Sequence, residues 1–205
     1  KQPSSFKDYI RIICAKEGGT GASVSDSINA LGNHLGREHL AINYLADNYI
    51  LSFYHDIPFE DGSGTDFRSF PDGTYCFYYG SKKKDQWITD VMYEFYYTKY
   101  QSGSQHDRPA TPEEMEKQDP NSHFYGRKVL GGCDNYFNNG EYRSGWTLYE
   151  RVIGSPFMTP GRSGNITRII NNRVIAHHVG MKGMAWQTTP YKLMLSYSRN
   201  YGTYV

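Results

Sequence analysis

The most regular alternation in the chain runs from Gln86 to Thr98. Trp87, Thr89, Val91, Tyr93, Phe95 and Tyr97 share one parity, and Ile88, Asp90, Met92, Glu94, Tyr96 and Thr98 share the other. A period of two predicts a strand. One face of it is almost wholly apolar and aromatic, while the other carries two carboxylates. Arg37 to Ala46 alternates likewise, with Leu40, Ile42 and Tyr44 against Arg37, His39 and Asn43. After Asp47-Asn48, Tyr49, Leu51 and Phe53 alternate with Ile50, Ser52 and Tyr54. Two such runs joined by Asp-Asn predict a tight hairpin. Thr74 to Gly80 continues the pattern, and Lys82 to Asp85 turns the chain into the Trp87 strand. Later strands are predicted at Tyr142 to Arg151, Asn172 to Gly183 and Tyr191 to Ser198, while the alternation leaves open whether a short extra one lies at Thr167 to Ile170. Phe6 to Ile13 reads as a further, less regular strand. The clearest helix signal is Thr111-Pro112-Glu113-Glu114, an N-cap followed by Pro and acids in the first turn, which predicts a short helix over Thr111 to Gln118.

Strand length and connection length give these strands a common setting. Trp87 and Tyr97 bracket ten residues, roughly 33 Å of strand, or about 24 Å when tilted near 45°. That matches the approximately 25 Å apolar band between the aromatic girdles of a membrane barrel. The turns at Asp47-Asn48 and Ser81 to Asp85 are short, whereas Ile57 to Gly73 and Tyr100 to Glu141 are long. The resulting expectation is all-β: a portion of an antiparallel transmembrane β-barrel with short periplasmic turns and long extracellular loops. Lys1 to Ile10 lacks the charged and apolar regions of a signal peptide, so either such a peptide has been removed or the chain starts inside a longer one, and the second reading is favoured. With no composition shift to mark a boundary, residues 1–205 read as one domain, the interior portion of a larger barrel.

Composition narrows the partners. The chain has 205 residues, 21 Gly, 19 Tyr, 10 Phe and 3 Trp, a profile of strands and turns. Its 22 basic residues are balanced by 21 acidic ones, which argues against a nucleic-acid partner. No apolar run approaches the roughly 18 to 20 residues of a spanning helix. Cys14, Cys76 and Cys133 are odd in number and widely spaced, which suits buried or inward-facing thiols rather than a disulfide framework or a zinc motif.

Catalytic and metal chemistry finds little support. Asp90 and Glu94 share a face, but four residues of strand separate them by about 13 Å, beyond the roughly 5 to 9.5 Å of paired glycosidase carboxylates. His177 and His178 are adjacent and therefore point to opposite faces. Gly18 to Ser23 lacks the Lys-Ser/Thr of a phosphate-binding loop and reads as a loop tip. No cofactor, metal or enzymatic activity is expected. The long loops do combine aromatic rings with carboxylates and amides, a mixture suited to sugar hydroxyls and apolar ring faces. The candidate polysaccharide-binding residues are Phe59, Glu60 and Asp61 in one loop and Asp134, Asn135, Tyr136, Asn138 and Asn139 in another.

The strings HDIPFEDGSG (55–64), QSGSQHDRPATPEEMEKQDP (101–120), GGCDNYFNNGEYRSGW (131–146), NNRVIAHHVGMKG (171–183) and SYSRNYGTY (196–204) carry a resemblance over essentially the whole chain. Together they resemble the capsule-assembly Wzi family as it occurs in Bacteroides-like bacteria. The resemblance implies a many-stranded outer-membrane barrel that associates with capsular or other surface polysaccharide as a lectin-like anchor without catalytic turnover. Its partners would be that polymer, outer-membrane lipid and other capsule-export components. Family members are considerably longer, in keeping with an interior portion. Two rival readings remain, a soluble β-sandwich acting on glycans and a general diffusion porin.

Overall fold

The computed structural model describes residues 4–14, 16–19, 21–23, 31, 32, 34, 36–59, 67, 69–122, 124–139 and 143–204. In chain order these form α1 (Phe6–Ile13), β1 (Gly36–Leu45), β2 (Tyr49–Phe59), β3 (Gly73–Ser81), β4 (Asp90–Tyr97), β5 (Arg108–Pro109), α2 (Pro112–Met115), β6 (Arg127–Lys128) and β7 (Thr147–Leu148). They continue with β8 (Arg151–Val152), β9 (Thr159–Ser163), β10 (Ile166–Asn171), β11 (Val174–Ala185) and β12 (Thr189–Asn200). The fold is all-β, dominated by one six-stranded antiparallel sheet in the order β1-β2-β3-β4-β11-β12.

Because every neighbouring pair is antiparallel, the β1–β2, β3–β4 and β11–β12 connections all lie at one end of the sheet. These are the short ones, residues 46–48, 82–89 and 186–188. The β2–β3 and β4–β11 connections, residues 60–72 and 98–173, lie at the other. We call these the turn end and the loop end. The Asp47-Asn48 hairpin forms as expected, with Leu45 opposite Ile50 and the Ala46 amide donating to the Tyr49 carbonyl at 3.0 Å. Among the described residues β1 and β12 are edges, and the sheet does not close on itself.

Register aligns the alternation of all six strands. Ile42 faces Phe53, Phe53 faces Phe77, Phe77 faces Tyr93, Tyr93 faces Val179 and Val179 faces Leu195, so one row of apolar side chains crosses the whole sheet. The opposite parity aligns Asn43, Ser52, Tyr78, Met92, Gly180 and Met194 in the same way. A single-residue slip in any pair would break both rows. The apolar face is uncovered among the described residues: Ile42 and Leu195 are each 61% exposed and Phe77 is 56%.

Several elements differ from the pattern reading. The strand expected from Gln86 is regular only from Asp90. Between the bonds Met184 N to Gln86 O (2.9 Å) and Thr89 N to Lys182 O (2.9 Å), the three steps from Gln86 to Thr89 oppose two on β11, so the chain bulges there. Phe6–Ile13 is a helix, not a strand. Phe6, Tyr9, Ile10 and Ile13 follow helical spacing, and Ser5 with Asp8 closes a capping box in which the Asp8 amide donates to Ser5 Oγ at 3.2 Å. The predicted strand Tyr142 to Arg151 is instead the small hairpin of β7 and β8. It turns at Tyr149 and Glu150, both in the left-handed region at φ 47° and 63°, as a two-residue type I′ turn requires. Tyr142 itself lies outside the described residues. The extra strand near Thr167 is present as β10, paired with β9. The Thr111 cap also forms as expected, although the α-helix it starts is only Pro112–Met115.

The hydrophobic cluster lies at the loop end of the polar face. Tyr96, Val174 and Ala176 from the sheet pack with Tyr136, Phe137, Trp146, Met158 and Ile169 from the long connection. Residues 134–139 and 143–171 thus fold back over that corner of the polar face instead of projecting freely.

At the turn end the backbones come close together, and a Cβ on Gly183 would fall against the Trp87 carbonyl carbon and oxygen. Gly183→Ala is expected to cost about 1–3 kcal/mol through overpacking, read as a lower denaturation midpoint by tryptophan fluorescence. An unchanged midpoint would show that the bulge at Trp87 and Ile88 does not press on β11.

Candidate functional site

Asp72 organises the loop end. Its carboxylate, fully buried, accepts the backbone N–H groups of Tyr100 (2.9 Å) and Gln101 (2.8 Å) and the hydroxyl of Tyr136 (3.0 Å). Burial pushes this carboxyl up to about 6. The Gln101 and Tyr100 amides, the Tyr136 hydroxyl and the nearby charge of Arg173 pull in the opposite direction. Burial likewise holds the Tyr136 hydroxyl well above its ordinary value. Gln101, at φ 45° and fully buried, donates through Nε2 to the carbonyl (3.3 Å) and side chain (3.1 Å) of Asn172. Asn172 in turn donates to Asn135 Oδ1 at 2.5 Å. Thr98 Oγ1 donates to the Asn172 carbonyl at 2.6 Å and accepts the Val174 amide at 3.1 Å. Four separate stretches of chain are joined in this way, each supplying the partner another would otherwise bury unsatisfied.

The residues expected to contact sugar divide between scaffold and surface. Tyr136 is only 6% exposed, with its ring 4.3 Å from that of Phe137, so no ring face is open for a sugar to stack on. Asn138 mimics a strand partner: its Nδ2 donates to the Ile169 carbonyl and its Oδ1 accepts the Ile169 amide, both at 2.9 Å. Asn135 accepts from Asn138 (3.1 Å) as well as Asn172. These three side chains hold the fold of the long connection, and their polar atoms are engaged within it. Amides and tyrosines suit buried networks and sugars equally, so the sequence alone does not separate the two roles. Asp134 and Asn139 are half-buried, the Asp134 amide donating to the Gln101 carbonyl at 2.9 Å. Phe59 is half-buried at the end of β2, its ring over Gly36, where a Cβ would collide with it. Glu60 and Asp61 lie outside the described residues.

What the alternation did not single out is the β7–β8 hairpin. Trp146 and Arg37 pin its base: the guanidinium lies 5.7 Å from the Trp146 ring and donates to the Gly154 carbonyl at 2.9 Å. Since Arg37 begins β1, the hairpin sits at the loop end. Its tip presents Tyr149, 89% exposed, beside Leu148 at 59%. The outer part of the long connection has its own ties. Arg108 grips Glu114 through two nitrogens at 2.8 Å each, and together with the Thr111 amide holds that carboxyl down at about 2.

The polar face of the sheet carries a row of hydroxyl and charged groups. Tyr54 donates to Glu94 and Tyr78 to Asp90, while Lys182 Nζ lies 3.4 Å from Asp90. Each carboxylate is thus engaged by its own tyrosine. His178 faces this side and bonds Ser196 at 2.6 Å, whereas His177 faces the other and meets the Tyr93 hydroxyl at 2.8 Å. Among the described residues no three His, Cys, Asp or Glu side chains are placed to hold a metal ion.

Removing one partner of the Asp72 network tests its role. Tyr136→Phe is expected to cost about 1.5–3 kcal/mol, the range for a hydrogen bond to a charged group, and to speed amide hydrogen exchange at Tyr100 and Gln101. Because the folded carboxyl titrates near 6 and the unfolded one near 3.8, the folded form takes up a proton as pH falls through this window. Asp72's contribution to stability is therefore greatest below about pH 4 and is lost as pH rises through 6. Protection at those amides, corrected for intrinsic exchange, should decline over that interval, and Asp72→Asn should abolish the decline.

No family model, curated protein or solved structure matches this chain.

Proposed function

We propose that this chain forms part of the wall of an outer-membrane β-barrel, with its loop end outward, and that this end retains surface polysaccharide without catalysing a reaction. The observation that carries the reading is the uncovered apolar face running through all six strands, set against a polar face bearing Asp90, Glu94, Lys182 and Lys192. In water an apolar patch of this extent is an association surface; against lipid it is at rest. Tyrosines and tryptophans at the margins fit the girdles of a bilayer. Tyr44 and Tyr49 pack together at the turn end (6.2 Å), as do Trp87 and Trp186 (5.2 Å), while Tyr75 and Tyr97 mark the loop end. The separation of short turns from long connections accords with the same layout.

Two observations favour retention over free diffusion. The long connection packs as a folded unit on the loop end of the polar face, which would narrow a lumen from the outside. At its surface, Tyr149 offers both faces of a ring on a rigid hairpin. Such a ring suits the apolar face of a pyranose. In this reading Tyr136, Asn135 and Asn138 build the platform and Tyr149 makes the contact. The resemblance to the capsule-assembly Wzi family supports the class of polymer.

Lipid facing is tested by placing a charge on each face at mid-strand. Phe77→Arg and Leu195→Arg, on the apolar face, are each expected to cost roughly 2–4 kcal/mol at the bilayer midplane and to reduce insertion, read by heat-modifiable gel migration of the full-length protein. Asn43→Arg, on the polar face, should insert normally. Equal yields from all three would overturn the facing.

Retention is tested by Tyr149→Ala. Loss of the ring should raise capsule released into the medium at constant total capsule, amplified because a polymer engages many copies. Unchanged cell-bound capsule, or a change in glycan chain length, would count against a lectin-like role for this hairpin.

A further inference from the structure

Three cations converge at the loop-end margin of the apolar face. Lys99 follows Tyr97 by two residues, Arg173 precedes Ile175 by two, and Arg199 lies opposite Ile175, so all three continue the parity of the apolar face onto adjacent chain segments. Pairing holds them there, with Arg173 Nε donating to the Lys99 carbonyl (3.1 Å) and the Tyr201 amide to the Arg173 carbonyl (2.9 Å). With strands about 4.8 Å apart, the three segments span roughly 10 Å. Two tyrosines form the floor. Lys99 Nζ is 4.4 Å and Arg199 Cζ 5.6 Å from the ring of Tyr201, and Arg173 Cζ is 3.8 Å from the ring of Tyr204, whose hydroxyl is fixed to the Tyr100 carbonyl at 3.1 Å.

Among the described residues no carboxylate forms a salt bridge with Lys99, Arg173 or Arg199. The Asp72 carboxylate, whose titration Arg173 influences, is fully buried and committed to three donors. Ring quadrupoles favour each cation singly but do not relieve their mutual repulsion. An anion seated among them would do so, and guanidinium groups match phosphate oxygens in paired hydrogen bonds.

We propose that Lys99, Arg173 and Arg199 bind the phosphate of a phosphorylated lipid in the outer leaflet. The inference rests on the membrane-wall reading given above, because that reading sets the cluster at headgroup level. On β12 the same parity continues downward from Arg199 through Tyr197, Leu195 and Leu193, an apolar track for the acyl chains of the lipid whose phosphate the cations hold. A soluble anion would use the charge but not that track.

The test uses full-length protein in detergent and in vesicles, with lipid A bisphosphate and its dephosphorylated form as probes and native mass spectrometry as readout. Wild type should retain the bisphosphate form at least tenfold better, and Lys99→Gln with Arg199→Gln should remove roughly tenfold of that preference. Arg173 is kept because its Nε bond supports the local pairing. Equal retention of the two lipids, or an unchanged preference in the double variant that still migrates as folded, would overturn the proposal. So would displacement of the lipid by millimolar inorganic phosphate, which would indicate a soluble-anion site, or loss of acidic polysaccharide binding in the variant with lipid retention intact. If wild type fails to insert into vesicles, the membrane-wall reading falls and this inference with it; insertion without phosphate discrimination overturns the inference alone.

Discussion

Pairing between β4 and β11 is the constraint on which the rest of the molecule depends. It joins residues separated by the whole of 98–173, with Tyr97 opposite Ile175 and Asp90 opposite Lys182. Closing so long a loop costs chain entropy that the ladder of backbone hydrogen bonds and the cross-strand rings must offset. Once closed, it sends both long connections to the same end of the sheet. It also continues the apolar row from Tyr93 to Val179 and the polar row from Glu94 to His178, which makes two amphipathic halves into one amphipathic sheet.

The same closure creates a second problem at the loop end. Chain leaving β4 and chain entering β11 bring buried backbone groups together there, and buried polar groups must find partners. Asp72, Thr98, Gln101, Asn135 and Asn172 supply them. Around this network Tyr136, Phe137, Trp146 and Met158 pack on Tyr96 and Val174. The polar network and the small apolar cluster therefore support each other, and together they hold the β7–β8 hairpin and the basic margin of Lys99 and Arg173 in fixed positions.

Function in this reading follows from what each face meets. The apolar face is suited to lipid because nothing among the described residues covers it, and the polar face is suited to water because its carboxylates are bonded by tyrosines and a lysine. The loop end carries an open tyrosine ring at the β7–β8 tip and, at the apolar margin, three cations that no carboxylate among the described residues pairs.

The sequence by itself determined the six strands of the main sheet, apart from the bulge before Asp90, together with their alternation and the division into short and long connections. Side-chain alternation is a local property, and Tyr49 to Tyr54 or Tyr191 to Ser198 display it within a single strand's length. The Thr111 cap was legible for the same reason. Phe6–Ile13 reads as a strand by alternation yet is a helix; short apolar runs satisfy both periods, and the capping pair Ser5 and Asp8 is the signal that separates them. Only the tertiary structure decided which loop residues are buried. Tyr136 and Tyr149 are the same residue type in the same long connection, and one lies under Asp72 while the other stands at a hairpin tip. The partners that separate them, Asp72 and Arg37, are distant in sequence, and burial depends on contacts across that distance. The convergence of Lys99, Arg173 and Arg199 has the same cause, for their closeness exists only once β4, β11 and β12 are paired.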